Sequence, residues 1–377
     1  MFASFRPDRL AAVPRRSRHV LIASCALVLV SVPVAGADSA PAPSVRLLGE
    51  QVIASGLDFE GTTVGGLSGI DYSARTGEFV VISDDRSSKN PARYYTARVE
   101  VGERGVGPVT ITGTRPLLTA TGAAYPPMSV DPEEIRVDPW TGDYYWTQEG
   151  ERDGDLLADP SVRIAHQDGS YAGELLIPEN ERMRPGSGPR QNQALEAATF
   201  LAAGALFATA TEGPLLPDGP AATTTSGALA RITVQARSGP LLAQYAYPME
   251  PVFAESRPEP GRGGTGIASV LAADPLDPMK LLVLERSFSP GTANKIRVYE
   301  ADLSGATDIL DAPIGAAHPA AKRLLVDLDD VGLAAVDNVE GMTWGPRLPS
   351  GERTLVLVSD DNFDSRQITQ VIVLAVA

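Results

Sequence analysis

Cysteine is all but missing. Cys25 is the one cysteine in 377 residues, which excludes an intrachain disulfide framework and any multi-cysteine metal or iron–sulfur site. Histidine is nearly as scarce: His19, His166 and His318 are the full set. His166 follows an outer-strand pattern and His318 lies in an Ala/Pro loop, so zinc sites rich in histidine and a Ser-His-Asp triad are both excluded. Gly66-Leu67-Ser68-Gly69 is followed by Ile70, so there is no G-x-S-x-G nucleophile elbow. Gly261-Arg262-Gly263-Gly264 lacks a P-loop lysine and a strand–helix setting, which removes nucleotide binding.

Positive charge is also short. Lys and Arg number 32 against 47 Asp and Glu, a net charge of −15, with four lysines in all. That balance argues against nucleic acid and anionic membrane surfaces as partners. No apolar run reaches the roughly 20 residues of a spanning helix. The longest, 20–34, follows Arg15, Arg16 and Arg18 and precedes Ala35-Gly36-Ala37. This reads as a secretory signal peptide cleaved after Ala37, leaving a periplasmic or secreted product over 38–377 with no cysteine. The leader carries five Arg and one Asp, so the mature chain holds 27 basic and 46 acidic residues, net −19.

Convincing 3.6-residue periodicity is absent too, so helical content should be very low. What the chain has instead is a repeated hairpin. Apolar strands end in acids at Asp84-Asp85, Glu149, Glu212, Glu285 and Asp360-Asp361. Sixteen residues before the first four stand Ser68, Glu133, Glu196 and Ser269, and Glu340 stands 20 before Asp360. Turn residues lie midway, at Thr76-Gly77, Thr141-Gly142, Gly204, Asp277-Pro278 and Ser350-Gly351. Each unit therefore reads as a β-hairpin whose two ends meet. Second strand pairs follow, at 94–101 with 109–117, 162–166 with 174–177, 228–234 with 241–247 and 295–301 with 323–328. Four antiparallel strands repeated radially describe an all-β propeller. Only half a unit remains after Glu340, and strand 45–53 supplies the rest. This favours five blades closed by pairing 368–376 with 45–53, with six blades as the alternative. Propellers work as monomers, and no apolar strip suggests a protein partner.

The segments 65–72 (GGLSGIDY), 82–87 (ISDDRS), 131–135 (DPEEI), 284–292 (LERSFSPGT), 337–348 (DNVEGMTWGPRL) and 357–363 (LVSDDNF) together resemble the phytase-like, esterase-like family of exported bacterial proteins. The resemblance implies a β-propeller and hydrolysis of phosphate or other esters. Where the family has Glu-Gly, this chain has Glu133-Glu134, and Ser269 is followed by Val270 rather than an acid.

Hairpins forming the inner strands of blades would gather their open ends at one mouth of the central channel. So many carboxylates cannot all stay ionised without compensation. A hard cation such as Ca²⁺ could supply it, and so could arginine. On this reading Glu133, Glu196, Glu340 and Asp360 are catalytic bases or ligands. Asp84, Asp85, Glu149, Glu212, Glu285 and Asp361 hold metal, and Arg86, Arg152, Arg286 and Asn338 bind a small phosphate or other ester. The competing readings are a purely structural ion-pair ring, a non-catalytic binding propeller and a lactonase-type calcium hydrolase.

Overall fold

The structure, a computed structural model, describes residues 44–377 apart from 260 and 262, so the leader falls outside the described residues. Strand β1 (Val45–Ile53) is followed by a short ribbon of β2 (Asp58–Phe59) and β3 (Thr62–Thr63). Blade 1 is β4 (Leu67–Ser73), β5 (Glu78–Ser83), β6 (Arg93–Gly102) and β7 (Gly105–Pro116). Blade 2 opens with β8 (Pro132–Val137) and β9 (Tyr144–Gln148). A ribbon of β10 (Glu151–Asp153) and β11 (Leu156–Ala158) interrupts it, and β12 (Ser161–Ala165) and β13 (Tyr171–Leu175) complete it. Blade 3 is β14 (Leu195–Leu201), β15 (Leu206–Thr211), β16 (Leu229–Ala236) and β17 (Leu241–Pro248). Blade 4 is β18 (Gly264–Asp274), β19 (Asp277–Ser289), β20 (Ala293–Asp302) and β21 (Ala321–Asp327). Blade 5 runs β22 (Asn338–Trp344), β23 (Arg353–Asp360), β24 (Thr369–Val376) and then β1.

These are five four-stranded antiparallel sheets. Val45 pairs with Val376 and Ile53 with Thr369, so the N-terminal strand closes the ring as the outermost strand of blade 5. A sixth blade is not present among the described residues. Helix is confined there to four single 3-10 turns. No described helix is long and apolar enough to cross a membrane.

The strand patterns follow from burial. Inner and middle strands lie between neighbouring sheets and are covered on both faces, so they read as unbroken apolar runs: all eight residues of β24 (TQVIVLAV) are buried. Outer strands face water on one side and alternate, as β7 does. Gly77 and Gly142 turn two inner hairpins with φ of 71° and 85°, a region open to glycine.

Every innermost strand carries one extra residue opposite its partner near the channel mouth. The register shifts fall between Leu67 and Ile70, Pro132 and Ile135, Leu195 and Ala197, Ile267 and Ser269, and Val339 and Gly341. A bulge of this kind re-aims a side chain. It puts Ser68, Glu133, Glu196, Ala268 and Glu340 in equivalent places. The fourth hairpin thus breaks the 16-residue ruler. Its strands are 11 and 13 residues long, and a second register shift falls between Ala272 and Asp274. Its mouth residues are Ala268 and Arg286, not Ser269 and Glu285.

Below the mouth a single guanidinium plugs the channel. Arg136, on β8, is 1% exposed. Its Nε donates to Ala198 O at 2.6 Å, and its Nη1 to Ile70 O and Met342 O at 3.1 and 2.9 Å. Its Nη2 donates to Val270 O at 3.0 Å, Ser269 Oγ at 3.0 Å and Glu134 Oε2 at 2.6 Å. These carbonyls belong to the innermost strands of the other four blades. The channel is narrow enough that a Cβ on Gly69 would lie 2.6 Å from Glu133 O, and one on Gly341 2.6 Å from Ser68 O. Removing one partner of a buried charge pair costs about 3–5 kcal/mol. Arg136→Met is expected to lose about that much in urea-unfolding stability; a loss below about 1 kcal/mol would show that the guanidinium does not tie the blades together.

Candidate functional site

Two rings of side chains meet at the mouth above Arg136. The bulge ring holds Ser68, Glu133, Glu196, Ala268 and Glu340. The second ring lies one position past the pair that flanks each bulge on the mouth side. It holds Asp84, Glu149, Glu212, Arg286 and Asp360, since Ser83, Gln148, Thr211, Glu285 and Ser359 pair opposite Leu67, Pro132, Leu195, Ile267 and Val339. Asp131, just before β8, joins them.

The acids fall into groups. Asp131, Glu133 and Glu149 each offer an oxygen within 4.8 Å of the others, and so do Glu149, Glu196 and Glu212. Glu149 belongs to both groups, and its Oε1 also accepts the Ala194 N–H at 2.6 Å. Ser68 Oγ donates to Glu133 Oε2 at 3.1 Å, so the one hydroxyl of the bulge ring braces an acid. Across the mouth, Asn338 Nδ2 donates to Glu340 Oε1 at 3.0 Å and to Asp360 Oδ2 at 3.4 Å. Arg286 Nη2 lies 3.1 Å from Glu212 Oε1 and 3.4 Å from Glu340 Oε1, and its buried Nε has no hydrogen-bond partner among the described residues. Arg86 reaches Asp131 at 3.5 Å and pairs with Glu151 on β10.

Burial and mutual repulsion raise the proton affinity of these carboxyls. Burial comes first for Glu133, followed by Glu196, Asp131 and Glu149, and the group sits well above its ordinary value. Glu149 is raised by burial and by Glu212, and Glu196 by burial, Glu212 and Glu149. Burial lifts Glu212 to about 7, against the pull of Arg286. Asp131 is lifted by burial to about 6 although Arg86 opposes it. Asp84 and Asp360 are raised by burial and then by each other's neighbourhood: Asp360 and Glu340 act on Asp84, and Glu340 acts on Asp360. Glu340 is raised by burial, with Arg286 and Asn338 opposing. Burial alone would lower Arg286, but Glu340, Glu212, Glu196 and Asp360 outweigh it and hold the proton more firmly than usual.

Four of the expected site residues are placed elsewhere. Burial pushes the Asp85 carboxyl up, but hydrogen bonds from the Lys89 N–H, Arg93 and the Asn90 and Ser88 N–H groups outweigh it and leave it below its ordinary value. Asp85 is a loop cap bound to Arg93 Nη1 at 2.7 Å. Asp361 accepts the Gly66 N–H at 2.9 Å and the Phe363 N–H at 3.1 Å, joining blade 5 to blade 1. Glu285 faces away from the channel, where it accepts from Tyr247 Oη at 2.7 Å and Glu250 N–H at 3.0 Å and meets Lys322 Nζ at 2.5 Å. The cause is the period of 2: a register one residue off turns a side chain to the opposite face. Arg152 donates to the carbonyls of Pro189, Arg184 and Ser187 at 2.8, 3.1 and 2.6 Å and fastens a loop. The structure brings together Asp84, Glu133, Glu149, Glu196, Glu212, Arg286, Asn338, Glu340 and Asp360, with Arg86 at the rim. Asp131 and Arg136 were not singled out from the sequence. Asp131 opens the segment DPEEI but has no counterpart acid in the other repeats, where Gly66, Ala194, Gly266 and Asn338 stand.

The mouth opens into a cavity of about 910 Å³, lined by Asp84, Glu133, Glu196, Arg286, Glu340 and Asp360 among others. Eight carboxylates converge there against Arg286 and the partly committed Arg86. The donor set is all hard oxygen, and the two triads sharing Glu149 suit Ca²⁺ at either or both.

No characterised relative matches the sequence. Among solved structures, the Dos1 propeller is similar at 6% identity over 84% of this chain and 69% of that one, with a TM-score of 0.35. The periplasmic gluconolactonase PpgL of Pseudomonas aeruginosa is similar at 12% identity over 82% of this chain and 85% of that one, also with a TM-score of 0.35. Residues 62–363 match the phytase-like family, described as esterase-like activity of phytase. With that match covering most of its length, the chain belongs to the phytase-like family.

Proposed function

We propose that the protein is an exported, calcium-assisted hydrolase of phosphate or related esters, acting at the acidic mouth. The observation that carries this is the pair of three-carboxylate groups sharing Glu149. Carboxylates packed this way repel one another and destabilise the apo fold, so an ion-pair ring built for stability is a poor account of them. Asp131, Glu133, Glu149, Glu196 and Glu212 would hold the cation. Bound there, it would neutralise the acids and polarise an ester oxygen.

The remaining groups have separate work. Arg286 offers its guanidinium to a phosphoryl or carbonyl oxygen, and Arg86 supports the substrate from the rim. Asp360 and Glu340, oriented by Asn338, accept a proton from the attacking water. The water oxygen bonds to phosphorus or to the acyl carbon, the ester oxygen leaves, and the departing alcohol takes up a proton. The raised proton affinity of Asp360 and Asp84 suits acceptance and return of that proton.

Purified mature protein should release phosphate from phytate or simpler phosphomonoesters with calcium and lose that release in excess EDTA. Release that ignores EDTA would remove the cation from the reading. No release from any phosphate or carboxylic ester would favour a binding propeller.

Calcium at 100-fold over its dissociation constant should stabilise the fold by about 2.7 kcal/mol. Glu149→Gln, which touches both triads, should abolish the calcium-dependent rise in Tm, whereas Glu285→Gln should retain it. Equal responses from the two variants would refute the assignment.

The acids also set a pH dependence. A carboxyl whose proton affinity is raised on folding favours the folded state at low pH and loses that contribution as pH rises through the folded value. For Glu212 the window runs from 4.5 to about 7. Urea midpoints measured in chelator should therefore fall across that window, and added calcium should flatten or reverse the slope. A midpoint that rises with pH in chelator would contradict the assigned directions.

A further inference from the structure

The mouth has a second lobe that the hydrolytic reading does not use. A cavity of about 740 Å³ adjoins the acidic one and shares Asn192, Arg286 and Phe288 with it. Phe288 sits on the dividing wall, near the end of β19, with 42% of its surface exposed. What sets Phe288 apart from the other exposed apolar side chains is its place, since it lines both cavities and offers each an aromatic face.

The lining of the second lobe differs in kind from that of the first. Its polar groups are amides and hydroxyls: Gln191, Gln193, Thr223, Thr224, Ser256 and Thr265. The charges that reach it are committed within the protein. Arg190 donates to the carbonyls of Pro214, Leu215 and Gly219. Glu255 accepts from Thr224 Oγ1, and Glu212 is paired with Arg286 on the shared wall. Among the described residues, no cation in this lobe other than Arg286 is free to meet a second anionic group on a ligand, and Glu255 would repel one.

Resting on the hydrolase reading above, we infer that this lobe is the subsite for the alcohol portion of the ester, and that this portion is uncharged, rich in hydroxyls and about the size of a monosaccharide. Amide and hydroxyl side chains supply donors and acceptors to such a group without a charge penalty. Phe288 offers a face for its C–H surface. Arg286 stands where the two lobes meet, beside the place the ester oxygens would occupy. A polyanion such as phytate would place its further phosphates against Glu255, so a sugar monoester is the better substrate class.

The test uses the calcium-loaded mature protein and two readouts. The first is binding without turnover: thermal shift with glucose, with myo-inositol and with phytate, on wild type, Phe288→Ala and the lobe-filling Ala222→Trp. Neutral polyols should raise Tm in wild type and not in either variant. The second is kinetic: glucose 6-phosphate against methyl phosphate. Each variant should raise KM for the sugar ester by about 10-fold or more while kcat stays near wild type. A polyol effect that survives both variants, or a preference for phytate over glucose 6-phosphate, overturns the inference. Should no ester be hydrolysed at all, the catalytic reading fails, and the polyol shifts still decide whether the lobe is a binding site.

Discussion

The five blades depend on Arg136. Radial strands that converge on an axis turn carbonyls toward the channel, and buried carbonyls need donors. One guanidinium offers five N–H donors in a plane. Here it reaches the innermost strands of the other four blades and the carboxylate of Glu134 from its own. Ser269 completes the layer by donating to Glu134 Oε2 at 2.7 Å. Burial raises Glu134 to about 7 even though Arg136 and Ser269 favour its ionised form. The result is a closed polar floor, and everything above it opens to water on one side only.

That floor explains why the acids above it are costly. They lie in a blind recess of low local dielectric, next to one another, with one embedded arginine for company. A fold can tolerate one broken local rule, and those it tolerates concentrate where function requires them. The bulges show how the arrangement is made. One extra residue per innermost strand aims Glu133, Glu196 and Glu340 into the mouth, and the same device in blades 1 and 4 presents Ser68 and Ala268. Acidity is therefore uneven around the ring. It is densest over blades 2 and 3, where both triads lie, and it is relieved over blade 4, where Arg286 stands in the place of an acid.

Much of this was legible in the sequence because it follows from periodicity. Turn residues at regular spacing, half a unit at each end and apolar runs in the inner strands lead to five blades and to closure of 45–53 on the C-terminal strand, which the register of β1 with β24 matches. The parts that stayed hidden depend on a single residue of register. Counting 16 back from Glu285 lands on Ser269, one position from the true bulge at Ala268. The same slip exchanges Arg286 for Glu285 at the mouth. Nothing in composition signals an extra residue inside a strand. Arg136 was hidden for a different reason: an arginine two positions past an acid on a strand reads like any other polar side chain until the ring closes and the axis is seen to be its surroundings. Asp85 and Asp361 stand beside true mouth residues, and strand alternation sends one of each pair into a loop cap instead.

The uneven ring and the two-lobed cavity fit one another. Hydrolysis of an ester needs concentrated charge at the bond that breaks, its leaving oxygen included, and none along the remote part of the alcohol, where no charge develops. On the proposed reading, blades 2 and 3 would supply the oxygen ligands and blade 4 the arginine, which would put the reacting bond near the line between them. Phe288 and Arg286 lie two residues apart on β19 and so share a face of that strand. One β-strand thus sets both the arginine of the acidic mouth and the apolar wall between the two cavities. Shifting that strand by a single residue would send Glu285 to the mouth and Ser287 to the wall, removing the charge contact and the packing face together. The longer fourth hairpin, which spoils the sequence ruler, is the feature that puts both in place.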